Sequence, residues 1–132
     1  MTRPPAAIEL ADVPGGPEPG TPLAALDDIA DGGSQVLTFR DGDKLFQMFL
    51  HRRGAQVWAY HNRCPHAGTP LDLIPGRFLD ATGRRFQCAT HGARFRVEDG
   101  YCIAGPCKGD WLRRVAVRVM PADDGRACIV SA

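Results

Sequence analysis

Two short boxes of cysteine and histidine carry the metal-binding chemistry of this sequence. The first box is Cys-Pro-His and supplies Cys64 and His66, and the second is Cys-Ala-Thr-His and supplies Cys88 and His91. Each box offers one thiolate and one imidazole from a short turn, and a glycine follows each box closely. Sulfur and nitrogen donors of this kind suit zinc or an iron–sulfur cluster. Four such ligands meet at one point if the two loops face each other.

The order of these four residues bears on the kind of metal site. A zinc finger usually takes two cysteines from one knuckle and two histidines from a helix. Here cysteine and histidine alternate, and no helical pattern follows either box. This order favours a centre with two metals, in which one metal binds both thiolates and the other binds both imidazoles. A structural zinc module is an alternative.

The sequences around the boxes, residues 62–71 and 88–95, resemble the cluster-binding motifs of the Rieske [2Fe-2S] proteins. The step from Gly105 to Pro106 resembles the Pro loop that shields the cluster in that family. The likeness extends over roughly residues 23–130. A pair of boxes in this order, with these glycines and prolines, is specific to that family.

The resemblance implies one [2Fe-2S] cluster whose four ligands are the box residues. Cys64 and Cys88 would bind one iron, and His66 and His91 would bind the other iron, nearer the surface. Two neutral imidazoles in place of two thiolates make the cluster less negative, so that adding an electron costs less. Rieske centres accordingly have potentials of about −150 to +300 mV, against about −400 mV for plant-type ferredoxins.

Four positions differ from the pattern of the high-potential respiratory Rieske proteins. Those proteins resemble one another in an extra cysteine inside each box, forming a disulfide, and in a serine and a tyrosine shortly after the second histidine. Thr69, Thr90, Ala93 and Phe95 stand here instead, and they provide neither the disulfide nor the two hydroxyl groups after the histidine. Because hydrogen bonds to the cluster sulfurs help to set the potential, we expect a potential at the low end of the Rieske range.

The resemblance implies an electron transfer protein rather than an enzyme with its own substrate site. We expect a low-potential ferredoxin that carries one electron at a time from a reductase to an oxygenase or another redox enzyme. A catalytic Rieske oxygenase needs a second iron, bound by two histidines and a carboxylate, in a large additional domain, and a chain of 132 residues is too short for one. The alternative is an accessory or regulatory Rieske subunit of a larger enzyme complex, with the N-terminal residues as its binding segment.

Composition and charge narrow the class of partner. The formal net charge of +1 gives no general basic character, so neither nucleic acid nor a membrane is an expected partner. Residues 1–34 have one Arg against six acidic residues, whereas residues 44–118 have 13 Lys and Arg against five acidic residues. The basic part is either an ordinary solvated surface or a face that attracts an acidic partner. Arg63, Arg94 and Lys108, beside the boxes and the Pro loop, are the expected rim of such a docking face.

Cysteine usage and the N-terminal sequence indicate the compartment. No apolar stretch typical of a secretory signal is present, and no segment reaches the ~18 apolar residues of a membrane helix. We expect a cytoplasmic protein that is monomeric in isolation. In a reducing compartment, Cys102 and Cys107 are expected to be two buried thiols, with a disulfide or a regulatory pair as the alternative. Cys128 is expected in the core, and His51 and His61 at strand ends or on the surface rather than among the ligands.

Short β-strands must position these loops. Residues 1–22 contain six Pro and three Gly and predict an extended tail, followed by a Rieske domain over residues 23–132. In the domain, apolar runs alternate with turn signals, such as Asp124-Gly125, whose backbone tolerates the positive φ angles of tight hairpins. The expected strands cover residues 35–40, 45–51, 56–61, 85–87, 93–97, 113–119 and 127–131. The sequence predicts an all-β, Rieske-type fold of small antiparallel sheets with two cluster-binding loops.

Overall fold

Nine β-strands form almost all of the regular structure in residues 3–66, 68–121 and 125–132, the parts of the chain that this computed structural model describes. The strands are β1 (Pro22–Ala25), β2 (Ser34–Asp41), β3 (Lys44–Arg53), β4 (Gln56–His61), β5 (Arg85–Gln87), β6 (Arg94–Arg96), β7 (Cys102–Ala104), β8 (Val117–Pro121) and β9 (Ala127–Ser131). Two single turns of 3-10 helix, Leu10–Asp12 and Leu26–Asp28, are the helical elements of these ranges. None of the described helical segments is long and apolar enough to cross a membrane. The all-β prediction is confirmed.

The described strands form three antiparallel sheets of three strands each. Their orders are β1-β9-β8, β2-β3-β4 and β5-β6-β7. Two-residue turns join β2 to β3 and β3 to β4, and their first residues, Gly42 and Gly54, have φ angles of +61° and +59°. Glycine adopts this left-handed backbone without steric cost, and such turns match the twist of a hairpin. The glycines of the sequence therefore do mark these two hairpins.

Strand β3 separates two hydrophobic cores, one on each of its faces. Because successive side chains of a strand point to opposite faces, Phe49 lies in one core while its neighbours Met48 and Leu50 lie in the other. The core around Phe49 also contains Cys64 and Cys88, and we call it the loop core. The other core, which we call the sheet core, joins β3 to the sheet of β1, β9 and β8. The box cysteines are thus anchored in the packed interior.

The N-terminal segment packs against the domain. Leu10 is fully buried in the sheet core. Ile8 forms a bridge with Val115, and its N–H donates a hydrogen bond of 2.7 Å to the carbonyl of Arg114. The described part of the segment, residues 3–22, is therefore held by burial and by backbone hydrogen bonds. The division of the chain into tail and domain stays a prediction.

The structure contains strands that the sequence pattern does not predict. β1 and β7 have four and three residues and lie beside proline or glycine, so they are too short to show an alternation. The run over residues 113–119 forms a strand only from Val117 onward. Asp124, in the predicted turn, lies outside the described residues, although β8 and β9 on either side of it pair as expected.

Candidate metal centre

Three loops meet at one end of the sheet formed by β5, β6 and β7. The second box loop, residues 88–93, joins β5 to β6, and the Pro loop, residues 105–110, follows β7. Because β6 and β7 are antiparallel and Arg94 pairs with Ala104, the start of β6 lies beside the end of β7. This pairing brings the second box loop and the Pro loop together. The first box loop, residues 62–72, comes from the end of β4.

The two box loops share one hydrogen-bonding frame. In each loop, the cysteine N–H donates to the carbonyl five residues later, and the glycine four residues after the cysteine donates back to the cysteine carbonyl. These bonds are Cys64 to Thr69 at 2.8 Å, Gly68 to Cys64 at 2.8 Å, Cys88 to Ala93 at 2.8 Å and Gly92 to Cys88 at 2.9 Å. Gly68 and Gly92 have φ angles of +70° and +73°, a conformation in which any other residue is strained. The glycine after each box is therefore required by the turn that carries the box.

Direct contacts join the two box loops. The N–H of Ala89 donates a hydrogen bond of 3.1 Å to the carbonyl of Leu71. The hydroxyl oxygens of Thr69 and Thr90 lie 3.4 Å apart. Leu71 itself is fully buried in the loop core. The two loops thus face each other, and Thr69 and Thr90 meet at the positions where the resemblance implies a disulfide in the high-potential proteins.

The four box side chains divide into a buried pair and an exposed pair. Cys64 and Cys88 are 1% and 0% exposed and belong to the loop core. His66 and His91 are exposed, with ring centroids 5.0 Å apart and ring planes at 82°. Two buried thiols behind two adjacent imidazoles at the surface match the chemistry of a cluster with one sulfur-ligated and one nitrogen-ligated iron. The donor set therefore fits a Rieske-type [2Fe-2S] cluster.

Asn62 braces the first box loop, a role that the sequence analysis does not identify. Its buried side chain accepts a hydrogen bond of 2.9 Å from the N–H of Leu71 and donates one of 2.7 Å to Asp72. The other carboxylate oxygen of Asp72 accepts a bond of 3.0 Å from the N–H of Gly76. A buried amide that is satisfied on both sides fixes the path of the loop. Its only signal in the sequence is an asparagine two residues before a box.

Asp80 is a buried carboxylate near the start of β6. Its Oδ1 accepts hydrogen bonds from the N–H and the hydroxyl of Thr82, and its Oδ2 lies 4.0 Å from Nε of Arg94. Burial alone would raise the pKa of Asp80, but the bonds from Thr82 and Arg85 and the charge of Arg94 lower it below its ordinary value. Asp80 is therefore ionised at neutral pH. Its negative charge attracts Arg94, the first residue of β6 after the second box loop.

The Pro loop rests directly on the second box loop. Gly105 has a φ of +96°, and a Cβ atom built on it would lie 2.7 Å from Cα of Ala93. Glycine is therefore needed here both for conformation and for the close approach. Under the loop, the sulfurs of Cys102 and Cys107 lie 3.1 Å apart, and both thiols are buried. Lys108 in this loop, like Arg63 and Arg94, is exposed.

His51 and His61 lie away from the boxes, in β3 and β4. His51 is fully buried, whereas the sequence analysis places it at a strand end or on the surface; its Nδ1 lies 2.8 Å from the hydroxyl of Ser34. Burial, with a smaller contribution from Arg53, lowers the pKa of His51 to about 4. His61 stacks on Phe46 with ring centroids 4.5 Å apart, and burial lowers its pKa as well. Both imidazole rings pack against other side chains of the sheet rather than at the boxes. Cys128, in β9, is half-buried.

Comparison with known proteins agrees with this geometry. The family model of the Rieske [2Fe-2S] domain matches residues 21–121. The ferredoxin of carbazole 1,9a-dioxygenase from Nocardioides aromaticivorans IC177 has 25% identity and a TM-score of 0.59, with 86% of this chain and 100% of that chain covered. No curated protein sequence matches the chain.

Two further solved structures share the fold at lower identity. A complex of reduced oxygenase and oxidised ferredoxin in carbazole 1,9a-dioxygenase has 24% identity and a TM-score of 0.60 over 83% of this chain and 90% of that chain. The terminal oxygenase of carbazole 1,9a-dioxygenase from N. aromaticivorans IC177 has 20% identity and a TM-score of 0.61 over 85% of this chain and 30% of that chain. The fold is of the Rieske type, as predicted, and the family implies a Rieske-type [2Fe-2S] cluster. The chain belongs to the Rieske [2Fe-2S] domain family.

Proposed function

We propose that this chain is a one-electron carrier whose cluster is bound by Cys64 and Cys88 on one iron and by His66 and His91 on the other. The observation that carries the proposal is the pair of box loops with one hydrogen-bonding frame, which holds two buried thiols behind two exposed imidazoles. When bound, the cluster supplies a single electron by cycling one iron between the ferric and ferrous states. The protein supplies the rigid loops, the dry interior around the thiolates and the exposed histidine edge.

The division between buried sulfur and exposed nitrogen suits electron transfer between proteins. The loop core excludes water from the two thiolates, which protects them from exchange and oxidation. The imidazole rings stand at the surface, where a partner can approach them closely. The exposed cations Arg63, Arg94 and Lys108 lie in or next to the box loops and the Pro loop, where they would attract an acidic partner.

The similar structures suggest which proteins the carrier serves. One of them is a ferredoxin of carbazole 1,9a-dioxygenase, and another is a complex of an oxygenase with a ferredoxin. By analogy, the carrier takes electrons from a reductase and passes them to an oxygenase or another acceptor. It has no substrate site of its own, acts in the cytoplasm and is a monomer when isolated.

The potential is at the low end of the Rieske range. Shortly after the second box stand Ala93, which has no hydroxyl, and Phe95, whose ring is buried in the loop core. Neither side chain can donate a hydrogen bond to a cluster sulfur, and fewer such bonds leave the reduced cluster less stabilised. A redox titration with a midpoint well above about +100 mV would contradict this part of the proposal.

The proposal is tested by composition and spectroscopy of the purified chain. We expect equal amounts of iron and acid-labile sulfide and a rhombic electron paramagnetic resonance spectrum after reduction. His91→Ala should lose this spectrum, whereas His61→Gln, which changes a histidine outside the boxes, should keep it. A colourless protein that contains zinc and no iron would overturn the proposal in favour of a structural zinc module.

The alternative of a regulatory subunit makes a different use of the N-terminal segment. In that case, residues 1–22 would bind the larger enzyme. Leu10 is instead buried in the chain's own sheet core, which leaves less of the segment available to a partner. Removal of these residues should therefore destabilise the fold, rather than only abolish binding to another protein.

A further inference from the structure

Two buried cysteines, Cys102 in β7 and Cys107 in the Pro loop, are close enough to react with each other. The sulfur atoms of Cys102 and Cys107 lie 3.1 Å apart, and a disulfide bond is about 2.05 Å long, so the two atoms need to approach by roughly 1 Å. Neither thiol belongs to a box, and neither is used by the proposed electron carrier. We propose that Cys102 and Cys107 form a reversible dithiol–disulfide site that ties the Pro loop to β7.

The backbone already holds the two cysteines opposite each other. The N–H of Gly109 donates a hydrogen bond of 3.0 Å to the carbonyl of Cys102, whose own N–H donates one of 2.8 Å to the carbonyl of Asp110. The N–H of Asp110 donates a further bond of 2.8 Å to the carbonyl of Cys107. These bonds close the chain around the two side chains. Forming the disulfide therefore requires movement of side chains more than of backbone.

A disulfide between Cys102 and Cys107 would restrict the motion of the Pro loop over the candidate metal centre. The first residue of the Pro loop, Gly105, lies in contact with the backbone of Ala93 in the second box loop. Both cysteines also belong to the loop core that contains Cys64 and Cys88. A covalent bond between β7 and the Pro loop limits how far the loop can lift from residues 88–93. The oxidised form therefore has a more firmly covered second box loop.

The chemistry balances with a peroxide as oxidant. The thiolate of one cysteine attacks hydrogen peroxide, so that the O–O bond breaks, a sulfenic acid forms and, after protonation, one water leaves. The second thiol attacks that sulfur, the S–S bond forms, and a second water leaves. Two electrons pass from the two sulfurs to the peroxide. A dithiol reductant returns both electrons and both protons by thiol–disulfide exchange.

Burial controls the rate of this reaction. Burial raises the pKa of the Cys107 thiol, and its hydrogen bond with Cys102 raises this pKa further. Little of Cys107 is therefore present as the thiolate at neutral pH while the Pro loop is closed. A bulky disulfide oxidant has no access to side chains that are 0% and 3% exposed. The site therefore reacts slowly, with small oxidants, and reacts faster whenever the Pro loop opens.

Peptide mapping of the full chain tests the proposal directly. Cleavage after arginine and lysine releases residues 97–108 as one peptide that contains Cys102 and Cys107 but no other cysteine. The remaining cysteines fall in three other peptides, residues 64–77, 86–94 and 127–132. After treatment of the iron-loaded protein with limited hydrogen peroxide, denaturation and alkylation, we expect peptide 97–108 to be unalkylated and lighter by two hydrogens. If the oxidised, denatured protein is treated with dithiothreitol before alkylation, the same peptide should be alkylated on both cysteines.

Matched variants separate this site from the rest of the chain. Cys102→Ser and Cys107→Ser should each abolish the internal cross-link, whereas Cys128→Ser, at a half-buried position in β9, should keep it. Amide exchange at Cys102 and Asp110 should slow in the oxidised form, since their bonds close the loop. Complete alkylation of peptide 97–108 after oxidation, or a cross-link from it to peptide 64–77 or 86–94, would overturn the proposal.

Iron content measured on the same samples keeps this inference distinct from the proposed function. If the internal disulfide forms in a protein that binds no iron, the dithiol–disulfide proposal is supported and the electron-carrier proposal is wrong. If iron is retained and peptide 97–108 stays reduced after peroxide treatment, the dithiol–disulfide proposal is wrong and the electron-carrier proposal is unaffected.

Discussion

At the scale of single residues, the buried imidazole of His51 should make stability depend on pH. Its pKa is lowered from 6.5 to about 4, so the folded protein disfavours the protonated ring. The unfolded chain therefore binds a proton that the folded chain does not, in the window between about pH 6.5 and 4. Stability is full above this window and is lost as the pH falls through it. We expect wild type to lose about 2–3 kcal/mol between pH 7 and pH 4.5 through this residue.

The variant His51→Gln isolates this contribution. Glutamine keeps a polar side chain opposite Ser34 and cannot titrate. Urea unfolding at pH 7 and pH 4.5 should show a smaller loss of stability for the variant than for wild type. Equal losses in the two proteins would mean that His51 is protonated in the fold or that acid unfolding is due to other groups.

Asn62 is the residue on which the shape of the first box loop most depends. Asn62→Ala removes the donor to Asp72 and the acceptor for the N–H of Leu71, and it leaves that buried N–H unsatisfied. The loss should be about 1–3 kcal/mol in urea unfolding. Iron retention should fall as well, because the loop carries Cys64 and His66. The control Thr38→Ala, at an exposed position in β2, should change neither quantity.

At the scale of elements, the sequence predicts local pairings better than distant ones. The hairpins of β2, β3 and β4 have two-residue turns with glycine, so alternation and turn signals together predict them. β1 instead pairs with β9 from the other end of the chain, and a four-residue strand that starts at proline gives no local sign of that partner. The boxes are visible in the sequence. The contact between Thr69 and Thr90, and the support from Asn62, depend on packing that no local pattern encodes.

The Pro loop allows an element-scale comparison of two glycines. Gly105 and Gly109 both have a φ of +96°, but a Cβ on Gly105 would lie 2.7 Å from Ala93, whereas one on Gly109 has no neighbour within 4 Å. Gly109→Ala should therefore cost only the strain of the left-handed backbone, about 1–2 kcal/mol. Gly105→Ala adds a clash with the second box loop, for which we expect about 1–3 kcal/mol more.

Thermal unfolding and redox titration of these two variants check the role of the Pro loop. Gly105→Ala should unfold at lower temperature than Gly109→Ala and should shift the midpoint potential, because the displaced loop admits water to the second box loop. Gly109→Ala should leave the potential unchanged. If both variants behave alike, the loop does not cover the centre in solution.

At the scale of the whole molecule, the near-zero net charge conceals a division of charge. The acidic residues of the first 34 positions offset a basic excess over residues 44–118. The sequence predicts this division by counting, and it predicts Arg63, Arg94 and Lys108 as the cations beside the boxes and the Pro loop. It does not show how the three loops meet, because that depends on the pairing of distant strands. The fold brings Arg94 and Lys108 to the same end of one sheet. A field localised there would guide an acidic partner to the histidines.

This steering can be measured without knowing the natural partner, by using ferricyanide as a small anionic oxidant of the reduced protein. Lys108→Glu should slow the reaction about two- to fivefold at low ionic strength, since it replaces attraction by repulsion on the Pro loop, which contacts the second box loop. The difference should vanish at about 1 M salt, where the Debye length is about 3 Å. Stopped-flow absorbance gives both rates.

The matched control for Lys108→Glu is Arg118→Glu, at an exposed position in β8 on a different sheet. Both variants change the net charge by the same amount, so an effect of total charge would slow both equally. A local docking face predicts a large effect for Lys108→Glu and a small one for Arg118→Glu. Equal slowing would mean that the arginine-rich surface acts as an ordinary solvated surface, and that the approach to the histidines is controlled by shape alone.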